Sequence, residues 1–297
     1  MIRLSLIVAT FNRSEQLLTT LRSVALQSHR AEEWECIVVD NNSKDDTRAV
    51  VEKFISEHAT LNIRYKFVEE QGLSFARNGG IREAKGDIVA FIDDDERIVA
   101  DFVSAYISLF DLHPDAMSAG GEIIAEYPTG RPRGMSRYTE EPIANPMSFG
   151  QHIRLFPKGR IPGGGNMAVR RKALDIVGLF DTSLGRTGKS LTGGEESDMF
   201  ERMAEHEMAC YYVPRAVMYH IIPSEKLTLE YFKRLNFNNG RSQLRRAELH
   251  HRTPMLYIKE CAKWVATLLL CLVHRPAQSR YLLTMRYQIS RGIFSKE

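Results

Sequence analysis

The sequence has four cysteines in 297 residues, and they form no pattern. Cys36, Cys210, Cys261 and Cys271 include no CxxC pair and no zinc-like pairing with histidine. That excludes a disulfide framework read from spacing, and it makes a reducing cytoplasm the simpler compartment. Cys36 and Cys210 sit in apolar, strand-like contexts and read as small buried hydrophobes. Long hydrophobic runs are also missing. The longest, Trp264–Val273, has ten residues, against the roughly 20 needed to span a bilayer. The opening "MIRLSLIVATFNR" is too short in its apolar part for a signal-peptide core, and it reads as a first β-strand. There is no internal repeat and no low-complexity tract, which excludes solenoids and extended linkers.

What is present is ordinary in amount and uneven in distribution. Hydrophobic residues make up 43% and charged residues 26%, as in a folded soluble protein of one large domain or one domain with an appendage. The net charge is +3, but residues 226–297 hold 14 Lys+Arg against 4 Asp+Glu, a balance of +10. Residues 1–225 hold the remaining 26 against 33, a balance of −7. A basic tail on an acidic body points the tail toward something anionic, a nucleic acid or a membrane surface.

The first half alternates strand and helix patterns. Strands are expected at Leu4–Ala9, Trp34–Asp40, Ile63–Val68 and Asp87–Ile92. Helices are expected at Ser14–Gln27, Thr47–Ile55 and Leu73–Ala84. Such repeats imply right-handed crossovers and a mainly parallel sheet, whose ligands bind beyond the carboxyl ends of the strands. Three strands end in polar turns: Thr10-Phe11-Asn12, Asp40-Asn41-Asn42 and Asp93-Asp94-Asp95. After Asp95 the spacing predicts a helix over Ala100–Leu112 and a strand over Ala116–Ile124. Tyr127–Met147, rich in Pro, Gly and Arg, reads as a mobile functional loop. A helix is expected to about Val177, another from about Glu195, then a short strand Ala209–Pro214 and an extended piece Ala216–Pro223. From Leu227 onward the patterns are mostly helical.

Several clusters could carry chemistry, and each has a bland alternative. The three aspartates after a buried strand suit a hard divalent cation shared with phosphates, or form a solvated turn that caps a helix. Asp40 could accept from a base or a ribose, or close an Asx-type turn. Arg77, early on its helix, could hold a phosphate or merely decorate the surface. Glu195 and Glu196 start a helix behind Gly193-Gly194. They serve either as a general base or as partners of the helix dipole. His220, among apolar residues, is a core histidine or a metal ligand beside Asp95.

Taken in order, these segments resemble the inverting family 2 glycosyltransferases of GT-A fold, from about Leu4 to Arg246. "LIVATFNR" is similar to the family's opening strand. Asp40-Asn41-Asn42-Ser43 with Asp46-Thr47 resembles its D-x-x-S-x-D-x-T turn, with the last spacing one residue shorter. "GLSFARNGGIREAKGDIVAFIDDDE", "GGGNMAVRR", Phe180-Asp181 and "GGEESD" complete the resemblance. The later segments look most like enzymes that extend lipid-linked bacterial polysaccharide repeats, such as the succinoglycan glucosyltransferases. Two departures stand out: Ala9 where the family commonly has Pro, and Glu195-Glu196 where it commonly has Glu-Asp.

The resemblance implies a mostly parallel, Rossmann-like α/β sheet flanked by helices over 1–225, with a basic helical extension over 226–297. It implies a nucleoside-diphosphate sugar donor, most often UDP-linked, and a glycan or lipid-linked acceptor. Ala9, Phe11, Arg13, Asp40, Asn42, Arg77, Asp93 and Asp94 would contact the nucleotide. Asp95, with His220 as a further ligand, would bind Mg²⁺ or Mn²⁺. Glu196 would deprotonate the acceptor hydroxyl, with Glu195 as its substitute. Gly164, Gly165 and Asn166 would floor the sugar site together with Glu195. Arg186 and Lys189 would close over the diphosphate. The basic tail, apolar at Trp264–Val273, would place the enzyme on the inner face of the cell membrane, or else pack as a helix on the catalytic domain with a basic outer face; it lacks a nucleic-acid reader motif. The alternatives are a nucleotidyltransferase of similar fold, or a non-catalytic sugar-nucleotide-binding homologue.

Overall fold

The computed structural model describes residues 1–188, 191 and 193–295. The N-terminal part alternates as β1 (Leu4–Thr10), α1 (Ser14–Ala25), β2 (Trp34–Asp40), α2 (Thr47–Glu57), β3 (Ile63–Phe67), α3 (Leu73–Glu83) and β4 (Ile88–Asp93). Then follow β5 (Glu96–Ile98), α4 (Phe102–Leu112), β6 (Ala116–Glu126), α5 (Arg137–Ala144), β7 (Arg154–Leu155), β8 (Met167–Arg170) and α6 (Arg171–Val177). The chain continues with α7 (Glu195–Glu205), β9 (Ala209–Ile221), α8 (Leu229–Leu249), α9 (Thr253–Val273) and α10 (Pro276–Phe294).

The strands form one sheet in the order β3-β2-β1-β4-β8-β6-β9-β5, with β7 beside β9. β3, β2, β1 and β4 are parallel. β8 joins β4 antiparallel, β6 joins β8 antiparallel, and β5 and β7 both pair antiparallel with β9. β1, β2 and β4 are buried along nearly their whole length because both faces are covered, while the edge strand β3 is only partly buried. Leu4, Leu6 and Val8 of β1 pack with Leu17, Leu21, Val51, Phe54 and Phe102 on one face. Ile7 and Ala9 pack with Ala76, Ile81, Leu174, Met199 and Met203 on the other. The result is a three-layer α/β/α architecture.

The chain divides into two compact units. The first comprises Met1–Ile124, Met147–Ser183 and Glu195–Ile221, and it holds this sheet core. The second comprises Ala125–Pro146, Leu184–Gly194 and Ile222–Glu297. Its core is a separate cluster including Met135, Ile143, Phe232, Leu235, Leu282 and Ile289. Among the described residues no helix is long and apolar enough to cross a membrane.

Five elements differ from the expectations above: α5, β9 and β5, and the short strands β7 and β8, where no strand is expected. The expected loop Tyr127–Met147 contains α5, which is only eight residues long and has Pro142 inside it. An interior proline reads as a breaker, yet Ser136 and Thr139 close a capping box that starts this helix. β9 is one 13-residue strand instead of two pieces. Pro214 lies between the residues paired with β7 and those paired with β5, so its missing N–H interrupts neither ladder. β5, three residues long, follows the aspartates too closely to leave a periodic signal.

Candidate active site

The parallel strands bring their polar ends to one edge. Thr10 is in register with Asp40, and Ala9 with Asp93. Asp40 and Asp93 therefore lie two strands apart, about 10 Å at ordinary strand spacing. Asp40 is buried at the end of β2; its carboxylate accepts from Tyr65 Oη at 2.7 Å and from the Ser43 N–H at 2.9 Å. The burial of Tyr65 and its bond to Asp40 push the phenol well above its usual range. Asn42, at positive φ, donates to the Glu69 carbonyl at 3.0 Å and accepts from Lys44. Within this turn it is Asp45, not Asp46, that accepts from Thr47 and from the Ser14 N–H. The turn thus has the full family spacing Asp40-x-x-Ser43-x-Asp45-x-Thr47, and the shortened spacing is corrected.

The three aspartates part where β4 ends: Asp93 closes the strand, and Asp94 and Asp95 form the turn into β5. Asp93, on the face of Val89 and Phe91, accepts from Arg77 Nη2 at 3.1 Å. Asp94 turns the other way and is buried: Oδ2 accepts from Thr10 Oγ1 at 2.8 Å and Oδ1 from Arg13 Nη1 at 2.8 Å. Burial pushes the Asp94 carboxyl up to about 6 despite the pull of Arg13, with Asp95 adding to the rise. The same Arg13 nitrogen reaches Asp95 Oδ2 at 3.1 Å. Burial works against the Arg13 charge, but Asp94 and Asp95 outweigh it and hold the guanidinium above its ordinary value. Asp95 Oδ1 lies 3.8 Å from His220 Nε2. His220 is brought there by the β5–β9 pairing, which sets it opposite Glu96.

Glu96 was not anticipated. It is buried, accepts from the Asp93 N–H at 2.7 Å, and lies directly beneath Gly165. A Cβ on Gly165 would fall 1.9 Å from Glu96 Oε1, and one on Gly164 would fall 2.9 Å from Arg77 Nη2. Both positions therefore require glycine so that the backbone can lie on these two charged groups. Burial, then Asp93 and Asp95, push the Glu96 carboxyl well above its ordinary range. The "DDDE" run shows this acid in the sequence, but only the strand pairing shows that it points inward.

Arg77 is 2% exposed. Nη1 donates to Glu195 Oε1 at 2.9 Å; Nη2 donates to Asp93 and, at 3.1 Å, to the Gly164 carbonyl. Its guanidinium lies over the Phe180 ring at 5.6 Å. Asn78 fixes Phe180 through bonds to both its N–H and its carbonyl. Against the cost of burial, Asp93, Glu195 and Glu196 keep Arg77 above its ordinary value. Buried and fully engaged, Arg77 is a counter-ion joining α3, β4 and α7 instead of a surface group free to take a phosphate.

α7 starts with Glu195, Glu196 and Asp198 in its first turn, where the helix dipole favours acids. Met199, Phe200 and Met203 anchor it in the core. Glu195 is 3% exposed, and its Oε2 is buried without a partner. Burial first, then Glu196, push its carboxyl up to about 8 against the pull of Arg77. Glu196 is half-buried, and its Oε2 is likewise enclosed and unpartnered. Asn166 is fully buried. Its Oδ1 accepts from Tyr106 Oη at 2.6 Å, and its Nδ2 donates to the Glu122 and Ala216 carbonyls, each at 2.9 Å. That side chain braces the sheet and presents nothing to a sugar. Ala9 ends β1 with its backbone in the ladder, Phe11 is half-buried in the turn that follows, and Arg186 lies exposed in the second unit. Lys189 falls outside the described residues.

The chain matches Glycosyl transferase family 2 over residues 5–178. It belongs to that family. This glycosyltransferase moves a sugar from a nucleotide-sugar donor, and its relatives act in polysaccharide or glycan biosynthesis. It is 29% identical over 240 residues to the succinoglycan biosynthesis protein ExoM of Rhizobium meliloti (strain 1021), covering 79% of this chain and 72% of that one. In fold it is similar to the mannosyltransferase PcManGT from Pyrobaculum calidifontis, solved with GDP-Man and Mn²⁺. The TM-score is 0.68 at 18% identity, over 99% of this chain and 88% of that one. It is also similar to S. aureus TarS 1-349, solved with UDP-GlcNAc. There the TM-score is 0.58 at 20% identity, over 82% of this chain and 67% of that one. These likenesses place the glycosyltransferase in the GT-A fold.

Proposed function

We propose that this glycosyltransferase carries a sugar from a UDP-linked donor to a hydroxyl of a glycan or lipid-linked glycan, with inversion, in polysaccharide synthesis at the inner membrane surface. The observation that supports the reading best is Glu196. It stands at the first turn of α7 with one carboxylate oxygen enclosed and unpartnered, beside a Glu195 already bound to Arg77. Both acids keep an unpartnered Oε2, but Glu195 is almost fully buried and tied to Arg77, whereas Glu196 is half-buried and so open to an incoming hydroxyl. In this reading it takes the proton of the acceptor hydroxyl as that oxygen attacks the anomeric carbon from the face opposite the diphosphate.

Asp40 reads the base, with the turn at Ala9, Phe11 and Asn42 beneath it. Asp93 and Asp94 lie on the nucleoside side, with Arg77 balancing the first and Arg13 the second. Gly164 and Gly165 floor the sugar side. Arg77 and Asn166 act through the groups they hold. Residues 1–225 form the catalytic part and 226–297 the extension. Among the described residues no group of three or more His, Cys, Asp or Glu side chains is placed to hold a metal. Asp95 and His220 supply one carboxylate and one imidazole, a set that Mn²⁺ or Mg²⁺ accepts when substrate oxygens complete the shell. A divalent ion there supplies neutralisation of the charge developing on the leaving diphosphate.

The test is a panel of UDP- and GDP-sugars with Mn²⁺ or Mg²⁺, measuring nucleoside diphosphate release with and without a lipid-linked oligosaccharide. Glu196→Gln is expected to lower kcat by about 10²–10⁴ while leaving donor KM little changed. Release of pyrophosphate, or transfer by Glu196→Gln at the parent rate, would overturn the reading.

A further inference from the structure

α9 is turned inside out. Its buried residues are Glu260 and Thr267, which are polar. Glu260 accepts from Arg286 Nη1 at 2.9 Å and from Ser290 Oγ at 2.6 Å, and Trp264 Nε1 donates to that same serine at 2.8 Å. These bonds to α10 fix the rotation of the helix. The opposite face is then apolar and uncovered: Ile258, Val265, Leu268 and Leu269 are more than half exposed, Leu272 is 81% exposed and Val273 78%. At 100° per residue these side chains share one arc about 140° wide. Together they expose on the order of 600 Å², the upper end of what a soluble monomer leaves uncovered.

The surroundings of this ridge are cationic. Lys259 lies beside one flank of the arc, while Lys263 lies farther round, where it reaches Gln243 Oε1 on α8 at 3.5 Å. The ridge ends at Val273, which also lines an open basin of about 450 Å³ with Arg131, Arg137, Tyr138, His274 and Gln278. Glu140 holds Arg131. Arg137 stacks on Tyr138 and donates to its hydroxyl, and no carboxylate among the described residues pairs with it.

We propose that this face of α9 is a docking surface for an anionic lipid bilayer. The ridge would enter the acyl boundary, and Lys259 and the Arg137 basin would meet lipid phosphates. The proposal rests on the reading of a membrane-bound acceptor and names the surface that reaches it. Charge selects the occupant. A second copy would bring two basic rims together, because the acids of residues 226–295 are only Glu230, Glu248 and the buried Glu260. The helix has enough residues but is not apolar enough along them to span, so it would lie in the interface.

The test is vesicle flotation of the full chain with phosphatidylcholine alone and with phosphatidylcholine plus phosphatidylglycerol. The protein is expected to float with the anionic vesicles and to be released by salt. Leu269→Glu combined with Leu272→Glu is expected to lower the floated fraction at least about tenfold. Arg137→Gln is expected to weaken binding about fivefold. Both variants should keep the parent's circular dichroism and its turnover of donor with a soluble acceptor. If the parent stays unbound at low salt, or the double variant floats equally well, the surface is not a lipid site. The proposal is equally overturned if the parent sediments as a dimer without vesicles and the double variant as a monomer. Failure of the catalytic reading would appear separately, as absent donor turnover in a chain that still floats.

Discussion

Asp93, Asp94 and Asp95 are consecutive, yet none lacks a counter-charge: Asp93 has Arg77, and Asp94 and Asp95 share Arg13, with His220 beside Asp95. The end of β4 makes this possible, because Asp93 still lies on the strand while Asp94 and Asp95 have entered the turn. The run of acids was legible in the sequence; its division among partners was not, since both arginines are remote in sequence from the aspartates. The Glu195-Glu196 pair has a consequence for pH. Burial and Glu196 raise the Glu195 carboxyl from an ordinary 4.5 to about 8, so between those values the folded chain holds a proton that the unfolded chain has lost. Stability contributed by that proton is complete below 4.5 and is lost as pH rises through about 8. Its slope is at most about 1.4 kcal/mol per pH unit. Thermal melts from pH 5 to 9 should therefore show the parent losing stability relative to Glu195→Gln as pH rises. Parallel curves would remove Glu195 as the proton's site.

At the scale of elements, the parallel strands and their helices were legible because apolar runs and 3.6-residue spacing coincide with them. The elements that escaped were short, namely β5, β7, β8 and α5, and proline split the expectation for β9 into two pieces. α9 shows a different limit. Periodicity identifies a helix with an apolar arc, but it does not say which arc is buried. Here a buried ion pair decides, with Glu260 and Arg286 both largely hidden from solvent. Removing one partner of such a pair leaves an uncompensated charge, which costs about 3–5 kcal/mol. Glu260→Ala should accordingly loosen α9 from α10. The expected signs are faster limited proteolysis within residues 253–295 and a lower melting temperature. An unchanged cleavage rate would mean that apolar packing alone orients the helix.

For the whole molecule, the first unit contains every acid of the proposed donor site, from Asp40 on β2 to Glu196 on α7 and His220 on β9. Those residues come from segments spread over most of the chain. The sequence presents them only as a series, made meaningful by family resemblance, whereas the sheet gathers them at one edge. A ligand bridging them should therefore stabilise that fold against unfolding by mass action, about 2.7 kcal/mol at a hundredfold excess over Kd. That corresponds to several degrees in melting temperature for a unit of this size. Asp95 and His220 alone offer an ion too few protein ligands, so Mn²⁺ by itself should shift the melt little. UDP with Mn²⁺ should shift it by the full amount, UDP with a chelator by much less, and Asp95→Asn should abolish the difference between the last two. An equal shift from Mn²⁺ alone would mean that the protein completes its own metal site. An Asp95→Asn response like the parent's would mean that the metal-dependent part of binding lies elsewhere than at this carboxylate.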